Sequence, residues 1–521
     1  MLQKAGMLLK TGVKSVAKWL KFVAQNHLTD LNPLKKLASQ TFIYGIPSIA
    51  GRFLNYLLTY LYTRVFSTEQ FGVNSEFYAY SGFFTVLLAF GMETGFFRFY
   101  KRNEQSDQVY STTLNFILIA ALLFLGIIYV FAQPLADLLR YENNVEYIQW
   151  FGWILALDAV CAIPFARLRA ENKPFQFAGI KVLEIVINVA LNVFFLIICR
   201  KAYETQSNAF LAGLYNPAIG VGYIFIINLV ASGVKMLLLL PQFAGALFKI
   251  DKVLLRTIVR YSFPMVLIGF AGVVNEMLDR MLLKYLLPYD EITNLQQLGI
   301  YGACYKLAVL MSLFIQAFRF AAEPFFFAQS DKADAPKMYA QVLKFFTIFC
   351  VFVFLLVMLY IDWFKLFIGE DFRAGLGVVP ILLLANLFLG IYVNLSVWYK
   401  LTDRTLTGAF VSIGGAALTV VLNVLFIPKF GYVASAWATL ACYGSMAMVS
   451  YVLGQKYYPV PYEWWRLALY IFGGLILWQA QVWLVNTGVM PFWFSASFLI
   501  SLFMVATFMA ERKNIRQSYN H

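Results

Sequence analysis

Fourteen apolar segments run through this chain, each of about 20 residues or more, which is what a helix needs to cross a bilayer. They fall at about 38–64, 71–98, 109–132, 147–167, 175–199, 218–240, 255–284, 297–327, 341–361, 376–399, 406–427, 430–454, 465–485 and 490–510. No water reaches the hydrocarbon to satisfy a free N–H or C=O, so runs of this length must close their own hydrogen bonds as helices. Composition agrees. Of the 521 residues, 61% are hydrophobic and 13% charged, against about 25% charged in a soluble domain. The expected fold class is an all-α polytopic membrane protein with fourteen transmembrane helices.

An even count puts both termini on one side, and lysine and arginine choose the side. The seven loops of one set carry Arg64, Arg140, Arg200, Lys201, Lys284, Lys365, Arg373 and Lys429. The two tails and the alternate loops carry about three times as many, which predicts that both termini are cytoplasmic. The net charge of +14 is then mostly a topology signal, and no nucleic-acid partner is expected. Residues 1–37 do not read as a signal peptide, because no uninterrupted apolar core follows the charges. Lys10, Lys14, Lys18 and Lys21 lie on one helical face, with Leu9, Val13, Val16 and Leu20 on another. That pattern fits a basic amphipathic helix on anionic lipids, or else a disordered basic tail.

The chain also contains an internal repeat. Tyr44, Gly45, Ile46 and Pro47 recur as Tyr261, Ser262, Phe263 and Pro264. Gln70, Phe71, Gly72 and Val73 recur as Gln297, Leu298, Gly299 and Ile300, an offset of 227. Leu191, Asn192 and Val193 recur as Leu422, Asn423 and Val424 at 231, where Arg169 and Lys173 also match Lys400 and Arg404. Segments 1–6 thus repeat as 7–12 in the same orientation, predicting two six-helix lobes about a pseudo-two-fold along the membrane normal, around a central cavity. The expected divisions are a basic extension (1–37), an N-terminal lobe (38–241), a cytoplasmic linker (242–254), a C-terminal lobe (255–455), an extra helix pair (464–510) and a cytoplasmic tail (511–521). The extra pair carries no charge between Arg466 and Glu511, so it has nothing to offer a polar cavity and is expected to pack outside it.

Charges inside the membrane are the candidate functional residues, since each is costly to bury. Arg52 sits near the middle of the first segment. It either faces a wet cavity and meets an anionic substrate or pairs with a carboxylate on a neighbouring helix. Arg280 and Lys306 are further candidates for an anion. Glu93, Arg98, Lys181, Lys235 and Arg319 are secondary cavity candidates, and Asp158, Glu276 and Asp279 are candidates for ion coupling. Lys181 with Glu184, Glu276 with Arg280 and Arg319 with Glu323 have helical-neighbour spacing, so local neutralisation is the alternative for each. Arg280 falls one residue from the repeat equivalent of Arg64, toward the outer face. Most aromatics, such as Trp464 and Trp465, fit an interfacial belt. The five cysteines are scattered, and the two histidines, His27 and His521, lie near the termini. Disulfide, zinc and nucleophile constellations are therefore not expected.

Three runs resemble the bacterial polysaccharide flippases of the multidrug/oligosaccharidyl-lipid/polysaccharide superfamily. They are GMETGFFRFYKR (91–102), ARLRAENKPFQFAGIKVLEIVINVALNVFF (166–195) and LNVLFIPKFGYVASAWATLACYG (422–444). The resemblance spans about 38–460. It implies a V-shaped pair of lobes alternating access to a cationic cavity, in a bacterial cytoplasmic membrane. The cargo implied is a polyprenyl-diphosphate-linked glycan, moved from the inner to the outer leaflet, with no cofactor beyond coupling to Na⁺, H⁺ or the membrane potential. Relatives that flip the peptidoglycan precursor have fourteen helices, the last two beside a lipid groove, and use an arginine in the first helix, which Arg52 matches in kind. Other polysaccharide-assembly membrane proteins are possible partners. Two rivals stand beside this reading. One is a cation-coupled multidrug exporter of the same superfamily. The other is a membrane glycan polymerase or ligase, which short outer loops and absent histidines disfavour.

Overall fold

A computed structural model describes residues 56–100, 106–246, 249–330 and 332–519, apart from a few side chains near 320–328 and beyond 512. The basic extension and Arg52 lie outside the described residues. Among the described residues there are no strands, and thirteen helices are long and apolar enough to cross a membrane. The first segment is described only as a helix over 56–65, α1.

The helices that follow are α2 (Thr68–Ala89), α3 (Met92–Tyr100), α4 (Ser106–Val130), α5 (Val145–Ala170), α6 (Pro174–Val193) and α7 (Gly222–Leu239). Next come α8 (Lys252–Leu286), α9 (Glu291–Gln329), α10 (Ala335–Leu359), α11 (Val379–Leu395), α12 (Thr405–Phe430) and α13 (Tyr432–Tyr457). The last two are α14 (Trp464–Asn486) and α15 (Phe492–Tyr519). Their ends follow from local chemistry. Ser67 caps α2 by accepting from the Gln70 amide. Asp251 caps α8 by accepting from the amides of Val253 and Leu254. Asp290 caps α9 through Thr293, and hydrogen bonds from that residue's hydroxyl and amide hold the Asp290 carboxyl below its ordinary range. Between α2 and α3, Phe90 and Gly91 take positive φ, so the span bends there without ending.

Helices α2 to α7 pack among themselves, and α8 to α13 do the same. The two groups meet where α2 crosses α9 and α8, and where α3 crosses α8. The tightest crossing is built on glycine. A Cβ on Gly72 would lie 2.1 Å from the Leu295 carbonyl oxygen, and one on Gly299 would lie 1.9 Å from that of Thr68. The contact is reciprocal, since residues 72 and 299, like 68 and 295, are related by the offset of 227 in the repeat. Without hydrophobic driving force between helices in lipid, such close backbone approach is what small residues contribute.

The last two helices lie against α10. Lys344 of α10 is only 2% exposed and pairs with Glu511 of α15 at 3.0 Å and with Glu463 at 3.3 Å. Tyr470 of α14 donates to Glu511 at 2.8 Å, and Gln481 donates to the Leu359 carbonyl at 2.7 Å.

The glycine crossing predicts an asymmetric response to one added methyl. Gly299→Ala should cost about 1–3 kcal/mol or more, as overpacking does, and lower the melting temperature in detergent. Gly414→Ala, at a position with no atom within 4 Å of the added carbon, should leave it unchanged or slightly raised.

Candidate functional site

Between the two helix groups lies a cavity of about 140 Å³. Helix α2 lines it with Asn74, Ser75, Tyr78 and Ala79, α8 with Glu276, Met277 and Arg280, and α9 with Gly302, Tyr305, Lys306 and Val309. Small-molecule pockets run to about 300–1,000 Å³, so this cavity is smaller than a typical ligand site.

Three of the predicted residues meet here. Arg280 donates from Nη1 to the Glu276 backbone carbonyl at 2.5 Å and lies 3.6 Å from Asp279. Its guanidinium also covers the Tyr305 ring, 4.0 Å from the centroid. A guanidinium has five N–H donors, so donors remain for a ligand. Lys306 has the Tyr78 ring 5.9 Å away, and among the described residues its ammonium makes no ion pair. Glu276 is exposed. Spacing allowed Glu276 and Arg280 to neutralise one another, but Arg280 takes the backbone carbonyl instead. Asp279 is buried beside the cavity, accepting from the Tyr301 hydroxyl at 2.5 Å and from the Arg280 amide at 2.8 Å.

The other predicted residues that the structure describes do not line this cavity. Lys235 is 3% exposed between α5, α6 and α7. It pairs with Asp158 at 2.7 Å and with Glu184 at 2.6 Å. Ser232 also donates to Asp158, and Lys181 pairs with Glu184 at 3.2 Å. Two cations and two carboxylates thus balance within one helix group. Glu93 of α3 pairs with Arg169 of α5. Arg98 lies over the Tyr261 ring, 4.1 Å from its centroid, joining α3 to α8. Arg319 is exposed on α9, and the side chain of its spaced partner Glu323 lies outside the described residues, as does Arg52.

Sequence reasoning missed the tyrosines of this cavity. It also missed the pair of Glu76 on α2 with Lys284 on α8, 3.0 Å apart with both side chains 0% exposed. Lys284 falls where the hydropathy pattern places a loop, so it reads as a charge that needs no partner. Glu76 is an acid in an apolar segment, the one signal available.

Known proteins resemble this chain in two ways. The family described as "Polysaccharide biosynthesis protein" matches residues 37–329. Among solved structures, the lipid II flippase MurJ in its inward closed conformation aligns with a TM-score of 0.70 at 15% identity, over 91% of this chain and 100% of that one. An inward-facing multidrug resistance MATE family transporter of the MOP superfamily aligns at 0.64 and 13% identity, over 80% and 97%. The MATE multidrug transporter DinF-BH in complex with R6G aligns at 0.59 and 16% identity, over 83% and 97%. No curated protein matches the chain in sequence. At these identities the likeness to solved structures is one of fold, that of a MOP-superfamily transporter.

Breaking a buried pair by removing one partner costs about 3–5 kcal/mol, whereas replacing all partners with neutral groups of similar size is near neutral. Lys235→Met should therefore lower the melting temperature sharply. Adding Asp158→Asn and Glu184→Gln to it should recover most of the loss, read by thermal unfolding in detergent.

Proposed function

Since this chain belongs to the polysaccharide biosynthesis protein family, we propose that it is an alternating-access flippase for a polyprenyl-diphosphate-linked oligosaccharide. It carries the head group from the inner to the outer leaflet of a bacterial cytoplasmic membrane, with both of its own termini cytoplasmic. It is a transporter and makes or breaks no covalent bond of the cargo. The observation that carries this reading is Lys306, an ammonium without an ion pair among the described residues, in a cavity between the helix groups and beside Arg280.

A cation in hydrocarbon is tolerated when it faces water or a counter-ion. A diphosphate supplies that counter-ion. Arg280 offers a fork of donors matched to phosphate oxygens, and Lys306 offers a point charge. Arg52 is proposed as a third contact on the strength of its place in the first segment. The lipid tail of the cargo stays in the bilayer, so only the sugar and two phosphate charges need shelter. With the inside negative by about 100 mV, moving two negative charges outward gains on the order of 4–5 kcal/mol. The empty cationic cavity is then held inward by the same field. Glu276, exposed at the cavity, is the carboxylate placed to take up Na⁺ or H⁺ for that return, with Asp279 behind it. Asp158 is already committed to Lys235. In this scheme residues 1–37 rest on anionic lipid, and other polysaccharide-assembly proteins are neighbours.

Glu276 also supports a second reading, a cation-coupled exporter of cationic drugs. Arg280 already has Asp279 at 3.6 Å, so it is Lys306, without an ion pair among the described residues, that favours an anionic cargo.

Hydrogen bonds to charged groups contribute about 1.5–3 kcal/mol, so Arg280→Gln and Lys306→Gln should each slow flipping in proteoliposomes about tenfold or more, with Lys306→Arg retaining most activity. A deletion strain should accumulate lipid-linked glycan on the inner leaflet. Parental rates in both glutamine variants, or accumulation on the outer leaflet, would contradict the assignment.

A further inference from the structure

We infer that Glu76 and Lys284 form the latch that holds the two helix groups together at the end of the bundle assigned by the lysine and arginine distribution to the outside. The pair joins the groups directly, because Glu76 is on α2 and Lys284 on α8. It is also dry, with both side chains 0% exposed.

The amino-terminal group builds a socket for the lysine. Its ammonium lies 3.0 Å from Glu76 Oε2, donates to the Leu139 carbonyl at 2.6 Å, and sits 3.8 Å from the centre of the Tyr141 ring. The carboxylate is equally occupied. Tyr141 donates to Oε2 at 2.5 Å, Tyr80 to Oε1 at 2.9 Å, and Tyr285 to Oε1 at 3.4 Å. Only Lys284 and Tyr285 come from the carboxy-terminal group. Withdrawing α8 would therefore break the ion pair, the bond to Leu139 and the Tyr285 contacts together, while leaving Glu76 its bonds to Tyr80 and Tyr141.

Neighbouring contacts close the same end. Gly72 and Gly299 bring α2 and α9 together about one turn from Glu76. Thr63 Oγ1 accepts from the Gly369 amide at 3.0 Å, and Arg64 donates to the Leu366 carbonyl at 2.6 Å. The cavity with Arg280 and Lys306 runs inward alongside this plug, since α2 lines it from Asn74 and Ser75, next to Glu76, to Tyr78 and Ala79.

An ion pair suits a closure that must reopen. Desolvation offsets much of its Coulomb attraction when buried, and both charges regain water once the groups part. An apolar plug of the same area would lose its whole hydrophobic gain on opening. One-sided loss is different, because an unpaired charge left in the dry socket is strongly unfavourable.

The latch takes its meaning from alternating access but not from the identity of the cargo. Its test therefore reads exposure and not transport, and can fail separately from the flippase assignment. Ala79→Cys places a thiol in the cavity, and the native cysteines are all buried among the described residues. Labelling by a membrane-impermeant maleimide is measured on intact spheroplasts and on inverted vesicles. The doubly neutral variant Glu76→Gln/Lys284→Met should raise the labelling rate on spheroplasts at least about fivefold at an unchanged melting temperature. Tyr141→Phe, a milder loss, should raise it in the same direction and serves if the double variant does not accumulate. Unchanged labelling on spheroplasts in these variants would overturn the inference, as would a rise confined to inverted vesicles. A pair that only stabilised the fold would lower the melting temperature without a side-specific change.

Discussion

A positive charge placed among membrane helices needs a partner, because hydrocarbon offers none. Most of the architecture described above answers that need. Lys235 finds Asp158 and Glu184, Lys344 finds Glu511 and Glu463, and Lys284 finds Glu76. Each pair also does mechanical work, because its members sit on different helices. The first ties α5, α6 and α7 into one unit, the second pins α14 and α15 to α10, and the third bridges the two helix groups. Arg280 shares Asp279 only at 3.6 Å, and Lys306 has an aromatic ring and a cavity. At this site Lys306 is a cation without an ion pair among the described residues, and an anionic cargo would supply one.

The same rule separates contacts within a helix group from contacts between the groups. Pairs within a group are surrounded by partners from that group alone, so nothing in a rocking motion would disturb them. At the α2–α8 and α2–α9 crossings the contacts are of two other kinds. Glycine lets the backbones approach until they touch, and the Glu76 socket receives a single lysine. Both are specific in the closed position, and the buried edge-on contact of Phe71 on α2 with Phe372, 5.4 Å between ring centres, lies beside them.

Much of the fold is legible in the sequence, because hydropathy in a bilayer is a strong constraint. The segment expected at 255–284 is the helix Lys252–Leu286, and that expected at 465–485 is Trp464–Asn486. The 227 offset places Gly72 and Gly299 in equivalent positions, and they meet in the structure at one reciprocal contact. Pairs spaced along a single helix, such as Lys181 with Glu184, are equally legible. The candidate site is only partly so. Arg280, Lys306 and Glu276 are visible as intramembrane charges, and they converge. Which charges are already satisfied is not visible, because Lys235 meets Asp158 and Glu184 across 77 and 51 residues. Periodicity carries no information about contacts at that range. Lys284 was hidden for a related reason: a helix that runs two residues past the hydropathy boundary turns a loop charge into a buried one.

The central claim is that Lys306, with Arg280 beside it, recognises a diphosphate carried on a lipid. It is tested most directly by the affinity of the purified protein for a polyprenyl diphosphate and for the uncharged polyprenol of the same length, in the parent and in Lys306→Gln. The account predicts that the parent prefers the diphosphate strongly and that the variant loses most of that preference while binding the alcohol as before. Equal affinity for the two lipids in the parent, or a preference untouched by the variant, would contradict it.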